Sequence, residues 1–134
     1  MNFLFYIKLY FSTFLVFLGV DAVWLGKIAP TFYKNNIGHL MAEKPNLLAA
    51  GIFYILNIVG ILVFAVVPSL RNNSMKSAAL LGAFYGTVTY ATYDLTNLAT
   101  LRDWPLKVTI VDILWGTALS CIVSVAGYYI GNKL

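Results

Sequence analysis

Residues Leu47–Val67, LLAAGIFYILNIVGILVFAVV, carry no charge and only one amide, Asn57. A helix rising about 1.5 Å per residue over such a run crosses a hydrocarbon core about 30 Å thick. Working outward, three further runs are as long and largely apolar, each interrupted by one or two charged residues: Phe3–Leu25 (Lys8, Asp21), Ser77–Leu101 (Asp94) and Val108–Ile130 (Asp112). A long connection (Gly26–Asn46), a short one (Pro68–Lys76) and a tight one (Arg102–Lys107) separate them, each holding turn formers or charges. The reading is all-α: an integral membrane bundle of four transmembrane helices, one domain over residues 1–134.

Composition agrees. The chain is 60% hydrophobic and 10% charged, with a mean hydropathy of +0.81, whereas soluble domains carry about 25% charged residues. The net charge of +4 comes from nine Lys and Arg scattered singly between apolar runs, which excludes the basic stripe of a nucleic-acid binder. The expected partner is the lipid bilayer, with a small-molecule or lipid ligand and self-association as further expectations. The first span lacks a basic segment ahead of its apolar run and holds Asp21 at its far end, so it is expected to be retained rather than cleaved. Cys121 stands alone, so no intramolecular disulfide forms. An even number of spans puts both termini on one side, and the acid-free Arg71–Lys76 connection favours the cytoplasm for that side.

In the long first connection, Phe32, Tyr33, Ile37, Leu40 and Met41 recur at helical spacing after Pro30. This pattern predicts a short amphipathic helix in the interface between spans one and two, with Gly38 arguing against its continuation.

The most informative feature is depth. Tracing the spans alternately out and back places Asp21, Asp94 and Asp112 all in the leaflet remote from the termini, here called distal, together with Trp24, Trp104 and Trp115. An ionised side chain at depth costs from ~2.5 kcal/mol upward, so such groups face the bundle interior or water. The three helices carrying them are therefore expected to converge. Span three is chemically the richest. Thr87, Tyr90, Asp94 and Asn97 share one face, Thr89, Tyr93, Thr96 and Thr100 another, and Phe84, Val88, Ala91, Leu95 and Leu98 form the arc suited to lipid. The candidate ligand- or ion-binding residues are Asp94, Asn97, Tyr90, Tyr93, Asp21, Asp112, Trp24 and Trp115, centred on Asp94. Hydrogen-bond partners for Asp94 are sought in Tyr90, Asn97 or a neighbouring helix.

Two smaller patterns concern packing. Gly82 with Gly86, and Gly127 with Gly131, form G-x-x-x-G pairs that predict close approach of spans three and four near the terminal side. Asn57 is expected to make an interhelical hydrogen bond. An internal echo, Val20-Asp21-Ala22-Val23-Trp24 against Val111-Asp112-Ile113-Leu114-Trp115, puts two carboxylates and two indoles at one level of two antiparallel helices.

The strings Asp21-Ala22-Val23-Trp24-Leu25-Gly26, Phe32-Tyr33 with Ile37-Gly38-His39-Leu40-Met41, Tyr93-Asp94-Leu95-Thr96-Asn97-Leu98-Ala99-Thr100 and Val111-Asp112-Ile113-Leu114-Trp115-Gly116 resemble the bacterial membrane family called domain of unknown function 2177. The resemblance covers nearly the whole chain. It implies four spans and residence in the bacterial inner membrane, and it carries no activity.

No H-E-x-x-H, G-x-S-x-G, phosphate-cradling glycine loop or paired cysteines occur. No cofactor is expected, and the single histidine, His39, does not predict a metal site. Three function classes remain: binding or transport of a small or amphiphilic solute with the Asp94 cluster as proton or cation site, an intramembrane lipid-modifying enzyme, and an accessory or scaffold subunit. The first predicts water reaching Asp94, the second a groove opening sideways, the third carboxylates sealed by hydrogen bonds.

Overall fold

The computed structural model describes residues 1–134 as five helices: α1 (Phe3–Lys27), α2 (Ala29–Ile37), α3 (Leu47–Arg71), α4 (Met75–Thr100) and α5 (Leu106–Lys133). A single 3-10 turn, Gly38–Leu40, follows α2. α1, α3 and α5 are long and apolar enough to cross a membrane. α4 has 26 residues and is less apolar because its threonines, tyrosines, Asp94 and Asn97 interrupt the run. At about 1.5 Å per residue it is as long as its neighbours. The fold is thus the expected all-α membrane bundle of four long helices.

Local chemistry sets the ends. Asn2 and Asn46 cap α1 and α3 by accepting from the amides of Phe5 at 2.9 Å and Ala49 at 3.1 Å, and Ser74 caps α4 by accepting from Ser77 at 3.0 Å. One boundary departs from expectation. The second span does not stop at Val67; it passes Pro68 and runs to Arg71, through a π turn at Leu62–Val66. Proline lacks the amide for a regular helical bond to Phe64 and its ring crowds that carbonyl. Widening the preceding turn, where the Val67 amide bonds Leu62, carries the helix past it. Asn73, at φ 49°, then makes the tight reversal into α4.

α4 and α5 form the most extensive helix pair, α1 packs on another side of α5, and α3 meets α4 chiefly through the π turn. Gly82 and Gly86 explain the α4–α5 closeness. A β-carbon at Gly86 would lie 2.1 Å from the Gly116 carbonyl oxygen, and one at Gly82 2.4 Å from Ser124 Oγ. Gly127 and Gly131 serve a different pair, since they face Val66 and Leu70 of α3. Leu9, Phe17, Ile58, Ile61, Leu62, Val66, Leu119 and Val123 make the core. Asn57 accepts from the Tyr85 hydroxyl at 3.1 Å, joining α3 to α4. Outside, Leu15, Phe64, Phe84 and Leu114 are exposed, the pattern that lipid accepts.

α2 forms where the apolar spacing predicts. Its inner stripe, Ala29, Tyr33 and Ile37, turns onto the distal end of the bundle, with Ile37 packed on Trp104 and Val108. Leu40 and Met41 stay exposed beyond it. Leu98, expected to face lipid, instead packs against this small cluster.

Candidate functional site

Each distal acid lies at or near the distal end of a buried stripe. On α1 the stripe is Leu9, Thr13, Phe17 and Asp21, one residue per helical turn. On α4 it is Ala78, Gly82, Gly86 and Asp94, with the half-buried Tyr90 in register between the last two, and on α5 it runs from Val108 and Asp112 through Gly116, Ser120 and Ser124. The packing that buries the core therefore buries the acids, leaving Asp21 8%, Asp94 0% and Asp112 7% exposed. The only ion pair in the structure is His39 with Asp103, 3.9 Å apart in the loops. No cation compensates the three carboxyls.

Their hydrogen bonds cross between elements. The Tyr33 hydroxyl of α2 donates to Asp112 Oδ1 and accepts from Trp24 Nε1 at 3.3 Å. Burial, together with the Asp112 carboxylate it bonds, pushes the Tyr33 phenol up from its ordinary value. The Tyr54 hydroxyl of α3 donates to Asp21 Oδ2 at 3.0 Å. Trp24 and Trp115 stack with ring centroids 4.5 Å apart and planes 7° from parallel. Trp115 Nε1 lies beside Asp21 but outside hydrogen-bonding geometry. The echoed Asp–Trp segments are thus interlocked: the indole of α1 reaches the acid of α5 through Tyr33, and the indole of α5 sits by the acid of α1.

Asp94 differs from the other two. Neither of its oxygens has a donor, and Tyr90 and Asn97 do not bond it. The Asp112 carboxyl of α5 is its acidic neighbour. Two ionised carboxylates offer each other no hydrogen and repel, so the pair is held together only by a proton, which makes a hydrogen bond, or by a cation bridging the two. Behind Asp94, Trp104 Nε1 donates to Thr109 Oγ1 at 3.0 Å, and Thr109 turns to the Asp94 carbonyl at 3.4 Å. This fixes the backbone of α4 against the start of α5.

A cavity of about 330 Å³ opens between α3 and α4, lined by Phe53, Thr89, Tyr90, Tyr93 and Asp112. Its floor is the Asp112 carboxyl and its rim is Phe53 and Tyr93, both exposed. Tyr90 is held flat by Gly116, where a β-carbon would come within 2.1 Å of its ring. The threonine hydroxyls of α4 are occupied locally. Thr87, Thr89, Thr92 and Thr100 bond carbonyls one turn back at 2.9, 2.9, 2.6 and 2.7 Å, and Thr96 and Thr100 face outward.

The fold brings Asp21, Asp112, Trp24 and Trp115 together at the distal mouth, with Asp94 and Tyr90 behind and Tyr93 at the cavity rim. Asn97 is half-buried one turn farther along α4. Sequence reasoning missed Tyr33, Tyr54 and Phe53 as site neighbours. A usable signal existed for the two tyrosines, because carboxyls buried without cations need hydroxyl donors at their own level.

A family model described as "Predicted membrane protein (DUF2177)" matches residues 6–129. No curated protein and no solved structure shows significant similarity to the chain.

Proposed function

The chain belongs to the DUF2177 family of membrane proteins, and we propose that it binds an amphiphilic solute whose cationic headgroup enters between α3 and α4 and seats on the Asp112–Asp94 pair. The observation that carries this reading is a carboxylate without a counter-cation at the floor of an aromatic-walled cavity. Phe53, Tyr90 and Tyr93 supply ring faces suited to an alkylammonium group, and Asp112 with Asp94 supplies the charge. The apolar tail stays among the exposed side chains of α3, where lipid already lies. A cation seated there competes with a proton for the space between the two carboxyls, which couples binding of the solute to pH. The termini face the cytoplasm in this reading, and the membrane is the bacterial inner membrane.

The tyrosine bonds to Asp21 and Asp112 favour an architectural role for those two contacts. Asp94, which seals nothing, separates this reading from a pure scaffold; it is fully buried, so the water expected to reach it meets Asp112 instead, and the sideways opening expected of a lipid-modifying enzyme serves here to admit the headgroup.

The test uses purified protein in lipid nanodiscs and the fluorescence of its three tryptophans, Trp24 and Trp115 at the distal mouth and Trp104 against the rim residue Tyr93. A brominated alkylammonium should quench them saturably, and Asp112→Asn and Asp94→Asn should each weaken that binding. Equal quenching by a brominated fatty alcohol, or unchanged affinity in both variants, refutes the proposal.

A further inference from the structure

A second, larger groove lies on another face. It has a volume of about 480 Å³ and runs between α1 and α3 in the terminal half of the bundle, lined by Tyr6, Phe11, Val59, Val63 and Val67, with Arg71 at its outer end. We infer that this groove holds one acyl chain of an anionic glycerophospholipid, whose phosphate is bound by Arg71.

Three observations point to that occupant. The first is length: from Val59 to Arg71 the lining follows α3 for about 18 Å, close to the roughly 15 Å of hydrocarbon in one leaflet. Its inner end is marked by the Tyr10 hydroxyl, which crosses from α1 to donate to the Ile55 carbonyl at 3.1 Å. A chain lying in the groove from that point reaches the headgroup level at Arg71. The second is charge. Every Asp and Glu of the chain lies in the distal half or the distal loops, and Arg71 has no ion-pair partner. A guanidinium at the end of an apolar slot, with no protein anion in ion-pair distance, matches a phosphate in two-point geometry. The third is backbone. The π turn at Leu62–Val66 contributes Leu62 and Val63 to the groove wall, and the widened turn carries α3 past Pro68 so that Arg71 projects at the groove mouth. Had the helix stopped at Val67, the slot would have no cationic end.

This lipid is distinct from the solute of the distal cavity, and the two sites fail independently. The full chain, extracted with a gentle detergent and supplied with equal amounts of phosphatidylglycerol and phosphatidylcholine, is read by native mass spectrometry for retained lipid. One phosphatidylglycerol per chain is expected, with a preference of roughly tenfold, the ratio that one charge-assisted contact supplies. Arg71→Gln, on an exposed helix end, should abolish the preference, and Val63→Trp should abolish retention by filling the slot. Lys76→Gln, on the same side but outside the groove, should change neither. Equal retention of the two lipids overturns the inference, as does an equal loss in Lys76→Gln. Displacement by inorganic phosphate would mark a simple anion site, and a dimer that dissociates in Val63→Trp would mark a protein interface; either also overturns it.

Discussion

Gly86→Ala tests the packing that sets the site. The added β-carbon would sit 2.1 Å from the Gly116 carbonyl oxygen and 2.6 Å from Ser120 Oγ. Real β-carbons do not approach closer than 3.0 Å, and the nearest obstacle is backbone, so α4 and α5 must part by 3.0 − 2.1 = 0.9 Å. Overpacking of this kind costs about 1–3 kcal/mol. Alanine also favours helix over glycine by about 0.8–1.0 kcal/mol, which masks part of the loss. Gly51→Ala supplies the reference, because nothing lies within 4 Å of a β-carbon there and it gains the propensity alone. The separation between the two variants is then the full ~1–3 kcal/mol. Cys121 is the only thiol and is half-buried on α5, so its labelling by a thiol-reactive fluorophore during heating reports unfolding without an introduced probe. Gly86→Ala should unfold at lower temperature than wild type or Gly51→Ala, and its solute binding should weaken as Asp94 draws away from Asp112. Equal midpoints for the two alanine variants would refute the argument.

Asp94→Asn and Asp94→Leu should both fold within about 1 kcal/mol of wild type, because Asp94 bonds no donor that either change would strand; both should lose binding of the alkylammonium probe and its pH dependence in nanodiscs. Tyr33→Phe strands the Asp112 carboxyl and the Trp24 indole, and a cost of ~1–3 kcal/mol should appear as faster hydrogen exchange in α2 with α4 unaffected. In wild type, the raised Tyr33 value means its docking contributes fully below the ordinary phenol pKa of about 10 and is lost as pH climbs beyond it. Hydrogen exchange in α2 should therefore stay flat through neutral pH once intrinsic rates are removed, and rise only in strong alkali. For topology, reporters fused after Lys34 and after Lys133 should lie on opposite sides of the membrane; the same side for both would remove the four-span arrangement.

What the sequence made legible follows from strong terms. Runs of twenty-odd mostly apolar residues with at most two charges leave few alternatives in water, so the long helices could be read directly. The common level of Asp21, Asp94 and Asp112 followed from counting along alternating helices. Pro68 was misread as a boundary because the local rule against proline in a helix is weaker than the demand of a lipid-facing backbone to stay hydrogen-bonded. Leu98 was misplaced because a single helix's periodicity cannot reveal that α2 folds back over the distal end. Tyr33 carried the same ambiguity: in sequence it is an apolar anchor at helical spacing, and only the return of α2 onto α5 makes its hydroxyl the partner of Asp112. The bond between Tyr85 and Asn57 was half visible, since a lone amide in an apolar run requires a partner but does not say which helix provides it.

The near-parallel indoles of Trp24 and Trp115 have a spectroscopic consequence. Two identical chromophores with centroids 4.5 Å apart couple their transition dipoles, so light is absorbed by the pair rather than by either ring. When their in-plane transition dipoles are twisted relative to one another, such a pair gives a bisignate circular-dichroism band whose amplitude depends steeply on separation and twist. One ring belongs to the helix that enters the distal mouth and the other to the helix that leaves it, and Trp24 is tied through Tyr33 to the covering segment. The amplitude of that band is a native optical ruler across the mouth, readable in unlabelled protein while a solute, a pH step or a lipid is added.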